Sequence, residues 1–307
     1  MQAPHKTESR ALVWMAIGAI IIGTNGLMVR IAETPPTVSA FWRLLFGGVL
    51  VLLYARATRQ WQSLPRRVWL WALLPGAIFA CDLWLWHRSI LLIGPGLSTL
   101  LANAQVFFMA LAGVLLFGER LGPRFLMGIL LSFFGLWLML GGSWATLPPA
   151  YRWGVWMGLA TGLSYAIFNV GLRRTQQVAH VDPSRPAPVA QVLGIVSLIG
   201  AAALGMAGVA EGTSFAIPSL KSLLVLLALA GIGHCLSWVL ISKAMSHLRV
   251  AVIGLMLLLQ PIVAFLLDVA LFDRLTTSRE WLGLAFTLAG IFLASLKGRS
   301  RLPEQPT

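Results

Sequence analysis

Five ionisable side chains lie inside otherwise apolar stretches: Arg43, Asp82, His87, His234 and Asp268. Burying such groups is costly, so each is a candidate for work. Arg43 carries a planar fork of donors suited to a carboxylate. Asp82 suits a proton or a ligand ammonium. His87 and His234 suit proton relay. The competing reading for Arg43 is an ion pair with Asp82 or Asp268, which lie at similar depth. For the histidines it is a hydrogen-bonded packing role, and Asp268 reads as interfacial, near Arg274. Trp84 and His87 are one turn apart on one helical face, while Asp82 and Trp86 share another. A Trp face can hold an ammonium or stack on an aromatic ring. With 13 Trp in the chain, an interfacial belt accounts for most of them; Trp86 fits the belt, and Trp84 is expected deeper, in a cavity. Polar groups recur at mid-depth: Thr24 and Asn25; Ser98, Thr99, Asn103 and Gln105; Ser164, Tyr165 and Asn169; Ser237 and Trp238; Gln260 beside Pro261. Such groups either glue helices or line a shared cavity. Pro261 frees a backbone carbonyl, so Gln260-Pro261 is the expected kink or gate.

The elements that must position these residues are membrane helices. The 307 residues are 58% hydrophobic and 11% charged, with mean hydropathy +0.83, which excludes a soluble domain. The formal charge of +13 is spread between apolar spans rather than gathered on one face, so nucleic acid is not the expected partner. Cys81 and Cys235 both fall in apolar segments; they read as small buried hydrophobes, and no metal site or cofactor is expected. Spans of about 20 apolar residues occur ten times between residues 11 and 297. Most connections are short and carry the prolines; the longest is expected from Arg173 to Pro188. With the N-terminus in the cytoplasm, sixteen of the 23 Lys and Arg fall inside and six outside, so both termini are expected in the cytoplasm. Residues 1–10 and 298–307 are cytoplasmic tails. Gly154, Gly158 and Gly162 give one helix a smooth face for close packing, and Gly18, Gly23 and Gly26 offer another.

The chain also repeats. A shift of 155 residues sets Arg88 on Lys243, Gln105 on Gln260, Gly128 on Gly283 and Gly135 on Gly290. Each copy, 11–140 and 153–297, holds five spans. Because five is odd, the second copy must cross in the opposite sense. Two inverted repeats around a midplane site suit alternating access. The expected fold is therefore an all-α polytopic membrane protein of ten transmembrane helices.

Gly23-Thr24-Asn25, Phe41-Trp42-Arg43 and the run Leu-Phe-Gly-Glu-Arg-Leu at 116–121, followed by Gly128 and Gly135, resemble the drug/metabolite transporter superfamily. The likeness is to its EamA-type bacterial exporters, with the aromatic amino-acid exporters nearest, and it covers about 11–297. In the second half the matching acid, Asp273, is one place out of register. The resemblance implies a multi-pass protein of the bacterial inner membrane that exports small metabolites, commonly amino acids. It gives Glu119 a structural or gating role in the following loop.

The expected function is export of aromatic or other apolar amino acids, or similar metabolites, with protons as a candidate coupling ion, the lipid bilayer as surroundings and a monomer as the unit. A phosphate-ester carrier is disfavoured because only Arg43 supplies a positive charge within the spans. The rival from another class is an intramembrane hydrolase with Ser164 and His234 as a dyad. Reporter fusions test the topology: a tag at either terminus is expected to be active in the cytoplasm, and one active only outside overturns it.

Overall fold

The computed structural model describes residues 4–58, 60–117, 122–141, 144–181, 187–245, 247–248 and 250–295. Among them every regular element is helical. In chain order these are α1 (Pro4–Ile31), α2 (Pro36–Ala57), α3 (Arg66–Ile93), α4 (Pro95–Ala102), α5 (Gln105–Phe117), α6 (Pro123–Leu136), α7 (Pro149–Ala179), α8 (Val189–Ala210), α9 (Leu220–Ala228), α10 (Ser237–Met245), α11 (Val250–Leu257), α12 (Leu259–Leu271) and α13 (Ser278–Ser295). Proline opens α2, α4, α6 and α7, where its missing N–H costs nothing and its fixed φ suits the first turn. α7 runs on to Ala179, so the connection expected from Arg173 starts at His180. Arg173–Ala179 carries no glycine or proline to stop the helix.

Eight helical stretches are long and apolar enough to cross a membrane among the described residues. They are Ser9–Ile31, Pro36–Ala57, Arg66–Ile93, Pro95–Ala112, Pro123–Leu140, Pro149–Ala179, Val189–Ala210 and Leu220–Ala244. The last two expected spans fall on α11–α12 and on α13. The first is divided at Leu258, and the second begins with Arg279 and Glu280.

Interruptions are a main feature of the bundle. Asn103 and Ala104 separate α4 from α5, and Leu258 separates α11 from α12. The second break lies three residues before Pro261, whose ring clashes with the carbonyl of Leu257. A π-helical stretch, Leu229–Leu236, joins α9 to α10, and another, Trp137–Gly141, extends α6.

Helices approach closely where glycines leave room. On α6 and α13, a side chain at Gly128 would meet the Gly290 carbonyl, and one at Gly135 would meet that of Gly283. The two helices are therefore antiparallel. Between the glycines, Ser132 Oγ donates to the Thr287 carbonyl at 3.2 Å and Thr287 Oγ1 to the Ser132 carbonyl at 3.4 Å. Gly154 and Gly158 of α7 pack on Leu92, Ile93 and Leu101, and Gly162 lies on the carbonyls of Leu101 and Ala102. Gly18, Gly23 and Gly26 let α1 lie against α10, α12 and Pro95. The cysteines depart from expectation. Cys81 is exposed, since the faces of α3 turned to its neighbours are those of Asp82 and Phe79 instead, and Cys235 is only half-buried.

Replacing Gly135 by Val is expected to cost about 1–3 kcal/mol through overpacking against α13. Gly122→Ala, with nothing within 4 Å of the added carbon, should be near neutral. Thermal unfolding in detergent measures both.

Candidate functional site

Three of the interruptions and four of the long helices converge on one cavity of about 620 Å³, its mouth included. α3 contributes Phe79, Asp82, Leu83 and Trp86, spaced i, i+3, i+4 and i+7, which is one helical face. Arg43 enters from α2, Thr99 and Asn103 from α4, Gln105 from α5, Thr161 and Tyr165 from α7. Gly233 of the π-helical stretch, Trp238 of α10 and Gln260 of α12 close it. Most of the wall is apolar or aromatic.

Its charges are incomplete. Arg43 is 7% exposed and Asp82 5%. Arg43 Nε and Nη1, Asp82 Oδ1 and Thr99 Oγ1 have no hydrogen-bond partner among the described residues. The Arg43 guanidinium lies 5.3 Å from the centre of the Trp86 ring. The ion pair with Asp268 does not form. Asp268 accepts instead from Arg30 and Arg274, each at 3.3 Å, and from the Gly96 N–H at 3.3 Å. Gly94, at φ 86°, lets the chain turn between α3 and α4 and leaves the space that the Asp268 carboxylate fills.

Other expected residues take supporting places. Asn103 Nδ2 donates to the Thr99 carbonyl at 2.8 Å, capping the end of α4. Asn169 donates to the Tyr165 carbonyl at 2.8 Å and to Gln105 Oε1 at 3.3 Å, so it orients a lining residue without lining the cavity. Asn25 is fully buried and donates to the Gly233 carbonyl at 3.0 Å, tying α1 to the π-helical stretch. His87 Nδ1 bonds Ser39 Oγ at 2.8 Å, and His234 Nε2 bonds Ser197 Oγ at 3.2 Å. Both rings are fully buried beside the cavity rather than in its wall. Ser98 is fully buried behind Thr99, and Pro261 is buried in α12. Ser164 Oγ faces Cys81 Sγ at 3.9 Å, so the serine–histidine dyad is not assembled. Glu119 lies outside the described residues.

Trp84 and Trp86 exchange the positions expected of them. Trp86 lines the cavity, while Trp84 Nε1 donates to Glu211 at 2.8 Å. The phase of α3 is the reason: Trp86 shares the face of Phe79 and Asp82, and Trp84 does not. Sequence reasoning weighed the depth of each Trp and passed over the periodicity of Phe79, Asp82, Leu83 and Trp86. It also missed Thr161, one turn from Tyr165.

The ends of α1, α3 and α8 and the starts of α2, α4 and α9 share one side of the bundle, and two clasps hold that side together. Glu211, just past α8, accepts from Arg88 at 2.7 Å and from Thr37 at 2.6 Å as well as from Trp84. Burial works against its charge, yet the hydrogen bonds from Thr37 and Trp84 and the Arg88 guanidinium prevail and hold its pKa below the ordinary value. Asp268 with Arg30 and Arg274 forms the second clasp. Lys221 pairs with Glu33 on the same side.

These features define a multi-pass membrane protein with a central, amphiphilic cavity at broken helices. The sequence matches the EamA-like transporter family twice, over residues 9–141 and 152–296. The chain belongs to that family, within the drug/metabolite transporter superfamily. It is 25% identical to an uncharacterized transporter of Synechocystis, over 93% of this chain and 88% of the other. It is 24% identical to the uncharacterized transporter YwfM of Bacillus subtilis, over 94% and 95% respectively. A probable amino-acid metabolite efflux pump of Escherichia coli is 24% identical over 64% of this chain and 66% of its own. One crystal structure shares the fold with TM-score 0.64 at 21% identity, covering 96% of this chain and all of that one.

Ser197→Ala leaves His234 Nε2 buried without its partner and is expected to cost about 1–3 kcal/mol. Glu211→Gln, at a partly exposed clasp, should cost about 1 kcal/mol or less. Thermal unfolding of both variants checks the order.

Proposed function

We propose that this chain is a secondary transporter of the bacterial inner membrane. It exports aromatic or other apolar amino acids, or closely similar metabolites, by alternating access. The observation that carries this reading is the pair of incomplete charges in an otherwise apolar cavity. A buried guanidinium and a buried carboxyl with unmatched donor and acceptor atoms are unfavourable. An amino-acid zwitterion completes both: its carboxylate at Arg43, its ammonium at Asp82, with Thr99 as a further polar contact. Phe79, Leu83, Trp86, Tyr165 and Trp238 then receive the side chain. The printed name of the Escherichia coli relative agrees with this class of substrate.

Ten spans in two inverted halves, 11–140 and 153–297, with both termini in the cytoplasm, are the framework we infer. Several contacts support it. The helix breaks at Asn103 and at Leu258 are 155 residues apart, as are the lining residues Gln105 and Gln260. Gly128 meets Gly290 while Gly135 meets Gly283. Each of these pairs is the other's image under the same shift, as a local two-fold axis requires. The two matches to the family, one per half, favour the same division. Rocking of the halves would open the clasped side by parting Glu211 from Arg88 and Asp268 from Arg30. A carrier of another metabolite class on this fold is the second reading, favoured only if the cavity accepts ligands that lack an ammonium.

Uptake of labelled Phe, Trp, Met, Thr and Ala into liposomes holding the purified chain tests the proposal. Saturable uptake of an apolar amino acid is expected, and an imposed pH gradient reports whether protons are coupled. Arg43→Gln and Asp82→Asn should each weaken uptake by roughly ten- to a hundredfold, the worth of a hydrogen bond to a charged group. Folded protein that takes up none of the five overturns the substrate class.

A further inference from the structure

A second cavity lies on the outside of the bundle, where α2, the loop after it, the start of α3 and α8 meet. Its empty volume is about 620 Å³. α8 supplies a stripe of Ile195, Leu198 and Ala202, and the opposite walls are Leu52 of α2, Trp61 of the loop and Trp69 of α3. From Gln191 to Ala202, at 1.5 Å per residue, the groove runs roughly 16 Å along the helix. Trp61 and Trp69 are 45% and 52% exposed, so the groove opens to the surroundings of the bundle and not to its core.

One end of this groove is basic. Arg56 stands one turn beyond Leu52 on α2, and Arg66 one turn before Trp69 on α3, with Arg67 beside it. Residues three and four apart share a helical face, so the two helices carry the apolar walls directly up to the arginines. All three arginines are exposed. The loop above is tied down. Gln191, 3% exposed, accepts from the Gln62 N–H at 3.0 Å and donates to the Gln62 carbonyl at 2.9 Å. That pair of hydrogen bonds holds the loop carrying Trp61 onto α8.

We propose that this groove is a specific site for an anionic phospholipid. One acyl chain lies along the Ile195–Ala202 stripe, the tryptophans sit at headgroup level, and the phosphate meets Arg56, Arg66 and Arg67. Charge complementarity decides the class of occupant: exposed arginines one turn from the apolar walls on both α2 and α3, with Arg67 next in the chain, favour a negative headgroup over a neutral one. The site bridges α2 and α8, so a bound lipid contacts both partners of one of the main helix pairs. It stands on these residues alone and does not require the amino-acid reading of the central cavity.

Native mass spectrometry of the purified full chain, offered phosphatidylglycerol or phosphatidylcholine of equal acyl length, tests the site. Phosphatidylglycerol is expected to be retained preferentially. Each of Arg56→Gln, Arg66→Gln and Arg67→Gln should weaken its retention by roughly fivefold, and the triple variant by about a hundredfold, toward the level of phosphatidylcholine. Ala202→Trp, on an exposed position, fills the far end of the groove and leaves the arginines intact; it should weaken both lipids alike. Equal retention of the two lipids by the natural chain overturns the proposal. A triple variant that keeps the preference, or an Ala202→Trp chain that binds as before, overturns it equally.

Discussion

A helix broken within hydrocarbon leaves backbone N–H and C=O groups that no water can reach, so a break is tolerated only where protein or a wet cavity faces it. The architecture of this chain depends on that constraint. The breaks at Asn103–Ala104 and at Leu258, with the π-helical stretch Leu229–Leu236, turn toward one another around the central cavity. Their loose ends are met locally. Asn103 returns its side chain to the Thr99 carbonyl, and Asn25 reaches from α1 to the Gly233 carbonyl. Gln105 and Gln260, each just after a break, are delivered to the cavity wall by the same irregularity.

Electrostatics then sorts the charges inside and at the ends of the bundle into two kinds. Asp268 and Glu211 are surrounded by guanidinium groups and other donors. Their desolvation is offset within the protein, and they act as fasteners between helices. Arg43 and Asp82 stand at the cavity with donor and acceptor atoms unmatched. In a low-dielectric interior such atoms are costly until something completes them. The number of partners separates the two kinds.

Between breaks and charges lies close packing. With lipid on the outside there is no hydrophobic gain in bringing apolar helices together, so contact relies on small residues and short polar exchanges. α6 and α13 illustrate this, with glycines on both helices and a Ser132–Thr287 exchange between them. α7 lies on α3 and α4 through its own row of glycines.

Much of this was legible in the residues. Hydropathy alone exposes the membrane class, because a span needs a length of apolar sequence that no soluble helix carries. Glycine spacing announces the packing faces, Pro261 announces a break in its helix, and a constant shift of 155 residues ties Gln105 to Gln260. These are local or periodic properties, and helix geometry converts them directly into structure. Eight of the residues named from sequence as polar or aromatic lining, Arg43, Asp82, Thr99, Asn103, Gln105, Tyr165, Trp238 and Gln260, lie around one cavity. What the sequence could not decide was partnership. Whether Arg43 meets Asp268 or stays open, whether Trp84 or Trp86 faces inward, and whether His234 meets Ser164 or Ser197 depend on how helices far apart in the chain rotate and cross. A rotation of one residue turns a helical face by about a quarter turn, and only the assembled bundle sets that angle. The sequence therefore determined the kind of protein and the stock of chemically active groups, and the tertiary structure decided which of those groups are spent on one another and which remain free in the cavity.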